Sequence, residues 1–125
     1  MNSPMTSANP RPSKIRVLKA EKALEILFNN QSTFIYTAEY LRVESPSAEV
    51  QGHGPGQKTL VVGRRHVGIA NVESVGNYAI RIVFDDLHDT GIFSWQYLYR
   101  LGIEKEERWK RYIEAIKKAG LSRDP

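Results

Sequence analysis

A chain of 125 residues, 41% hydrophobic and 26% charged, is enough for one small domain with tails and too short for several. It has no cysteine, which excludes disulfides, thiol catalysis and any zinc or iron–sulfur cluster held by thiolates of this chain. The net charge of +4 and the pI near 9.4 permit weak attraction to nucleic acid or to acidic proteins. The basic residues are scattered and match no nucleic-acid motif, so nucleic acid is not the expected partner.

Residues 1–12 carry Ser, Asn, Pro and Thr with little to bury, and are expected to be a disordered tail. They lack the apolar core of a signal peptide. No apolar run approaches the roughly 18 residues of a membrane span. A cytoplasmic location with no membrane association is the expectation.

Ile15 and Val17 alternate with Lys14 and Arg16, which predicts an edge strand over 15–19. Leu24, Ile26 and Phe28 give a second strand, and a turn at 29–31 leads into a third over 32–37. Thr37 is placed to cap a short helix with Tyr40 and Leu41 inward. Ser45 and Pro46 open another short helical piece through Val50. The glycine-rich stretch 52–58 is a loop. Residues 59–62 and 67–75 read as strands. Gly76 and Asn77 supply a hairpin turn into 78–84, where Tyr78, Ile80, Ile82 and Phe84 line one face.

Ser94 is placed to cap a short helix over 94–101 that closes on Gly102, with Trp95, Leu98 and Tyr99 anchoring it to the sheet. The last helix covers 104–119. Its apolar stripe is Trp109, Tyr112, Ile113 and Ile116, its acids sit at the N-terminal end and Lys117 and Lys118 at the other. The stripe reads as closing the domain's own core, with docking of a partner or second copy as the other reading. Gly120 suits the position after the helix. The fold class is α+β: a mainly antiparallel sheet with short helices and a C-terminal amphipathic helix.

The densest chemistry lies at Asp85, Asp86, His88 and Asp89. Carboxylates and an imidazole can share a divalent metal, or work as an acid–base set. The same residues also open turns, because Asp accepts bonds from nearby backbone N–H groups. His53 sits in the glycine loop as a further ligand candidate. The 54–59 stretch lacks the Gly directly before Lys that a phosphate loop needs, and a strand rather than a helix follows, so nucleotide binding is rejected. Ser94 lacks the flanking glycines of a nucleophile elbow.

Several separated blocks resemble one family in order: 40–50 with Gly52-His53-Gly54, then Val67-Gly68-Ile69, then 75–80, then 84–98 from Phe84-Asp85-Asp86-Leu87-His88-Asp89-Thr90-Gly91 to Leu98. The chain resembles the DUF971 family, also called the gamma-butyrobetaine hydroxylase-like N-terminal domain, over roughly residues 13–102. The division that follows is a tail at 1–12, the DUF971 domain at 13–102, and a C-terminal helix and tail at 103–125.

In the larger hydroxylases the resembling domain precedes a separate 2-oxoglutarate/Fe(II) oxygenase domain. Only 23 residues follow residue 102 here, too few for another domain. The resemblance therefore implies a stand-alone accessory module and not an enzyme. The hydroxylase version holds a structural zinc on three cysteines and a histidine. Laid on this chain, the cysteines fall on or near Ser45, Ser47 and Val50, and the histidine on His88. Hydroxyls are poor zinc ligands and valine is none, so the resemblance implies a dismantled zinc site in which His88 survives. A different divalent metal at His88 stays open, with no cofactor otherwise expected. Leu87 stands where the family usually has Gly.

Similar domains occur fused to P-loop proteins of the iron–sulfur carrier type, which implies a link to iron–sulfur or metal-cofactor handling. The expected function is a small binding module acting on a protein partner, as a monomer or weak homo-oligomer. Its contact would be Asp85, Asp86, His88 and Asp89, with Trp95 as the buried anchor of their loop. The alternatives are a metal-binding protein or minimal metal-dependent enzyme using His88 and its neighbours, and a weak nucleic-acid binder using basic strands.

Overall fold

The computed structural model describes residues 10–52, 54 and 56–125. Strands β1 (Pro12–Leu18), β2 (Ala23–Phe28) and β3 (Thr33–Thr37) are followed by two short helices, α1 (Ala38–Val43) and α2 (Ala48–Gln51). Strands β4 (Ile69–Val75), β5 (Ala79–Phe84) and β6 (Gly91–Ser94) come next, and helices α3 (Trp95–Ile103) and α4 (Lys105–Ala119) close the chain. The strands form two antiparallel sheets in the orders β1-β2-β3 and β4-β5-β6. The α+β class read from the sequence is the observed one.

Alternation in the two central strands builds the core. Leu24, Ile26 and Phe28 of β2 and Ile80, Ile82 and Phe84 of β5 are buried, and both rows belong to one apolar cluster. Tyr36, Phe93, Leu98 and Leu101 are among the residues that join them. Each such side chain stabilises the fold by about 1.5–3 kcal/mol relative to exposure. The hydroxyl of Tyr36 donates to the Leu98 carbonyl at 2.8 Å and that of Tyr40 to the Leu101 carbonyl at 2.7 Å. These two bonds tie α3 to β3 and α1 through groups that burial would otherwise leave unpaired. Gly102 lies under the Phe34 ring, where an added Cβ would come within 2.5 Å of it.

The helix signals act as expected. Thr37 caps α1 by accepting from the Tyr40 N–H at 3.1 Å, and Ser94 caps α3 by accepting from the Tyr97 N–H at 3.1 Å. At the end of α4, Gly120 adopts a left-handed φ of 69°. Its N–H bonds the Lys117 carbonyl and the Leu121 N–H bonds the Ile116 carbonyl, the paired closure that glycine permits. Tyr112 and Ile116 are buried against Val43, with Leu60, Val61 and Val62 packed alongside. The stripe thus covers the domain's own second cluster.

Five local expectations differ from the structure. Residues 59–62 form no strand; their apolar side chains pack under α4, and the Tyr112 hydroxyl donates to the Val61 carbonyl at 2.6 Å. The fourth strand begins at Ile69, not Val67. Tyr78 does not share the buried face of β5: the hairpin turn takes in residues 76–78, Val75 pairs with Ala79, and Tyr78 is exposed. Strand β6 was not read from the sequence, because four residues are too few to show a period. At the other end, β1 starts at Pro12, inside the segment read as tail; residues 1–9 lie outside the described ones. Among the described residues no helix is long and apolar enough to cross a membrane.

Candidate functional site

Strand β5 ends at Phe84, and the chain reverses so that the Phe84 N–H bonds the His88 carbonyl at 2.9 Å. Leu87 takes a φ of 74°, a left-handed conformation that costs a non-glycine residue about 1–2 kcal/mol. That twist turns His88 inward, to 5% exposure, and leaves Leu87 90% exposed.

The four clustered residues then separate. Asp85 leaves the cluster: its Oδ1 accepts from the Gly68 N–H at 2.9 Å, joining the turn to the segment before β4. Asp86 stays with His88, accepting from its backbone N–H at 3.1 Å, while its Oδ2 lies 2.9 Å from Arg42 Nε and 2.7 Å from Arg64 Nε. Asp89 is exposed and faces Arg81 at 3.8 Å. Burial pushes the Asp86 carboxyl up, but the His88 N–H and the two guanidiniums outweigh it, and the carboxyl is held below its ordinary value.

His88 sits in a ring of hydrogen bonds built with the start of α2. Its Nδ1 is 2.9 Å from Glu49 Oε1 and its Nε2 is 2.9 Å from Ser45 Oγ. A carboxylate only accepts, so Nδ1 carries the proton and Nε2 accepts from the Ser45 hydroxyl. Ser45 Oγ in turn accepts from the Ser47 N–H at 3.3 Å, and Ser47 Oγ caps α2 by accepting from the Glu49 N–H at 3.2 Å. The Ser47 hydroxyl is then left to donate to Thr90 Oγ1 at 2.7 Å, and Thr90 donates to Glu49 Oε1 at 3.3 Å. Every hydroxyl in the ring has both a donor and an acceptor role. Burial, then the Arg42 charge, lowers the His88 pKa, with Glu49 and Asp86 opposing; the net direction is down, so the ring is built on a neutral imidazole.

The order Ser45–His88–Glu49 matches the hydroxyl–imidazole–carboxylate chain of serine hydrolases, yet it cannot attack a substrate as it stands. Ser45 is fully buried, and an added Cβ on Gly91 would lie 2.5 Å from its Oγ. The glycine is what lets β6 pass over the hydroxyl. The chain of bonds fixes the turn to α2 and leaves no room for a reacting carbonyl.

The positions implied for a family zinc are nonetheless brought together: Ser45, Ser47 and Val50 are buried with His88, and both serines belong to its ring. The donor set does not suit that ion. Both imidazole nitrogens are engaged, two donors are hydroxyls, and Val50 offers none. Among the described residues no three His, Asp or Glu side chains gather as a metal cage requires. His53 lies outside the described residues.

Trp95 sits elsewhere. It is half-buried at the far end of the β5–β6 pair, where its Nε1 donates to the Asn77 carbonyl at 2.8 Å and its backbone N–H to the Tyr78 carbonyl at 3.1 Å. It therefore secures the 76–78 turn, not the turn at 85–89. Sequence reading did not join Glu49, Thr90, Arg42 or Arg64 to this site. Glu49 carried a signal only as a first-turn acid of a Ser-capped helix; the others carried none, since their partners lie on separate elements.

A family model described as gamma-butyrobetaine hydroxylase-like, N-terminal, matches residues 15–99. Two proteins with NMR solution structures are similar along nearly the whole chain. One is 45% identical with a TM-score of 0.81, covering 93% of this chain and 91% of its own. The other is 41% identical with a TM-score of 0.81, covering 95% and 89%. A crystal structure from Acidithiobacillus ferrooxidans ATCC 23270, of a DUF971-family protein with unknown function, is 38% identical over 74% of this chain and 92% of its own, with a TM-score of 0.63. No curated protein matches the chain.

Proposed function

The chain belongs to the gamma-butyrobetaine hydroxylase-like N-terminal, or DUF971, family, and from that premise we propose that it is a small non-catalytic module that docks a protein partner through the turn at 85–89. The observation that carries this reading is the pair of neighbours His88 and Leu87. The imidazole is committed inside to Ser45 and Glu49. The leucine is held outside, in a conformation that the fold maintains at a cost. A rigid apolar tip loses little freedom on binding, which favours affinity.

Asp85 and Asp89 flank this tip as exposed carboxylates. The partner surface that fits is an apolar pocket with a basic rim. This shifts the contact from His88, which is buried, to Leu87. The occurrence of similar domains beside P-loop carriers favours a partner in iron–sulfur or metal-cofactor handling, in which this cysteine-free chain takes part by binding and not by holding the cluster.

A photo-crosslinking residue placed at position 87 in the full chain, in living cells, tests the contact. The expected result is a discrete protein adduct that is absent when the same residue replaces Lys118. Adducts no different from those at position 118 sink the reading.

A further inference from the structure

We propose that the cleft between α1, α2 and residues 59–64 is a binding site for a carboxylate with a short aliphatic body. The cleft measures about 400 Å³, within the range of small-molecule sites. Val50, Leu60, Val61 and Val62 form its apolar walls, and Arg42 and Arg64 line it as well.

The two arginines are incompletely satisfied. Arg42 is 8% exposed, with its Nε on Asp86 Oδ2 at 2.9 Å, and its Nη1 is buried with no hydrogen-bond partner. Arg64 Nε lies 2.7 Å from that same oxygen but is too poorly aligned to bond it, and is also buried without a partner. Two guanidiniums thus compete for one oxygen. A buried N–H left unpaired is costly, so native structures almost always supply an acceptor. The Arg64 side chain is 36% exposed, and its Nη1 is held only by long bonds to the Val62 and Gly63 carbonyls at 3.3 and 3.5 Å, which a carboxylate in the cleft would replace with stronger charge-assisted ones.

The charges on the lining select the ligand class. Besides the two arginines, the cleft is lined by one carboxylate, Glu49, which is bonded to His88 Nδ1 and is 64% exposed. With Asp86, which both guanidiniums face, the two arginines are balanced by two carboxylates, so a monoanion, which adds a single excess negative charge, fits better than a phosphate dianion, which adds two. A planar carboxylate also matches the guanidinium fork, with two parallel bonds. The aliphatic walls would hold a branched or short unbranched chain attached to it. Such a group occurs on a free organic acid and at the C-terminus of a peptide ending in an aliphatic residue. The site adjoins the 85–89 turn through Asp86 but does not use Leu87, so its test does not depend on the docking reading.

The test is an NMR titration of the full chain, following the Nε–Hε signals of Arg42 and Arg64. The probes are 3-methylbutanoate, its uncharged amide, and the peptide N-acetyl-Ala-Ala-Leu with a free C-terminus. The expected result is a saturable shift of both signals with at least one carboxylate and none with the amide. Arg64→Gln should weaken binding at least tenfold while the remaining amide signals stay in place. Tighter binding of the peptide assigns the site to a chain terminus, and tighter binding of the free acid to a small metabolite; either supports the proposal. No saturable shift with either carboxylate, equal binding of the amide, or unchanged affinity in a folded Arg64→Gln protein overturns it. The amide comparison needs no variant, so the test stands even if Arg64→Gln does not fold.

Discussion

In α4 the inward residues, Tyr112 and Ile116, are apolar, and charged side chains such as Lys110, Glu114 and Lys117 are exposed. In the turn after β5 the imidazole of His88 is inside and Leu87 is outside. Polarity sorts the helix, because burying its apolar stripe is the main gain available to it. Hydrogen bonding sorts the turn. His88 can be buried since both ring nitrogens, and the groups they meet, find partners, and a satisfied polar group does not carry the penalty of an orphaned one. The difference shows that a residue's class predicts its placement where packing dominates, and fails where a closed polar network dominates.

The largest effect should come from the network's charged corner. Asp86→Ala leaves Arg42 buried without its counter-charge and removes the acceptor of the His88 N–H. Unpairing a buried ion costs about 3–5 kcal/mol, and partial exposure of Asp86 puts the expected loss near 3 kcal/mol. Ile116→Ala, which only thins the stripe of α4, should cost about 2 kcal/mol. Urea melts of the two variants rank them, and a smaller loss for Asp86→Ala would break the comparison.

The next effect is a pH dependence confined to the turn. The folded protein holds His88 below its ordinary pKa of 6.5, so the unfolded chain binds the extra proton more readily. The stability contribution is therefore complete above about pH 6.5 and is lost as the pH falls through that value toward the folded pKa. Protonation also removes the lone pair that accepts from Ser45. Thermal melts between about pH 7.5 and 5 should show this decline in the wild type and a flatter profile in His88→Gln. Parallel profiles would assign the decline to other groups. Asp86, whose carboxyl is held below the ordinary 3.8, should add a second loss only at more acidic pH.

The smallest effect concerns the tip. Leu87→Gly relieves the left-handed strain but raises the entropy of the unfolded chain, and these oppose each other within about 1 kcal/mol. Stability should rise slightly or stay level, since Leu87 buries almost nothing. A clear loss in the same urea melts would mean that its side chain supports the fold after all.

Much of the scaffold was legible from local pattern. The alternation in β2 and β5, the caps at Thr37 and Ser94, the stripe of α4 and the Gly120 closure all rest on neighbours within a few residues. Residues 59–62 misled because β-branched apolar residues suit a strand and a helix-facing segment equally. Tyr78 misled because the hairpin turn is one residue longer than the two-residue turn read at Gly76-Asn77.

Of the candidate site, the sequence by itself singled out His88 and its acidic neighbours, and the family resemblance added Ser45 and Ser47. It could not say which of Asp85, Asp86 and Asp89 stays with His88, or that Glu49 and Thr90 close the ring. Those partners lie about 40 residues apart in the chain, and no periodicity links α2 to the turn after β5. Nor could it place Leu87 outside and His88 inside, which depends on one left-handed φ. Spacing along the chain governs local bonds, whereas the satisfaction of a buried polar group depends on what the whole fold brings beside it.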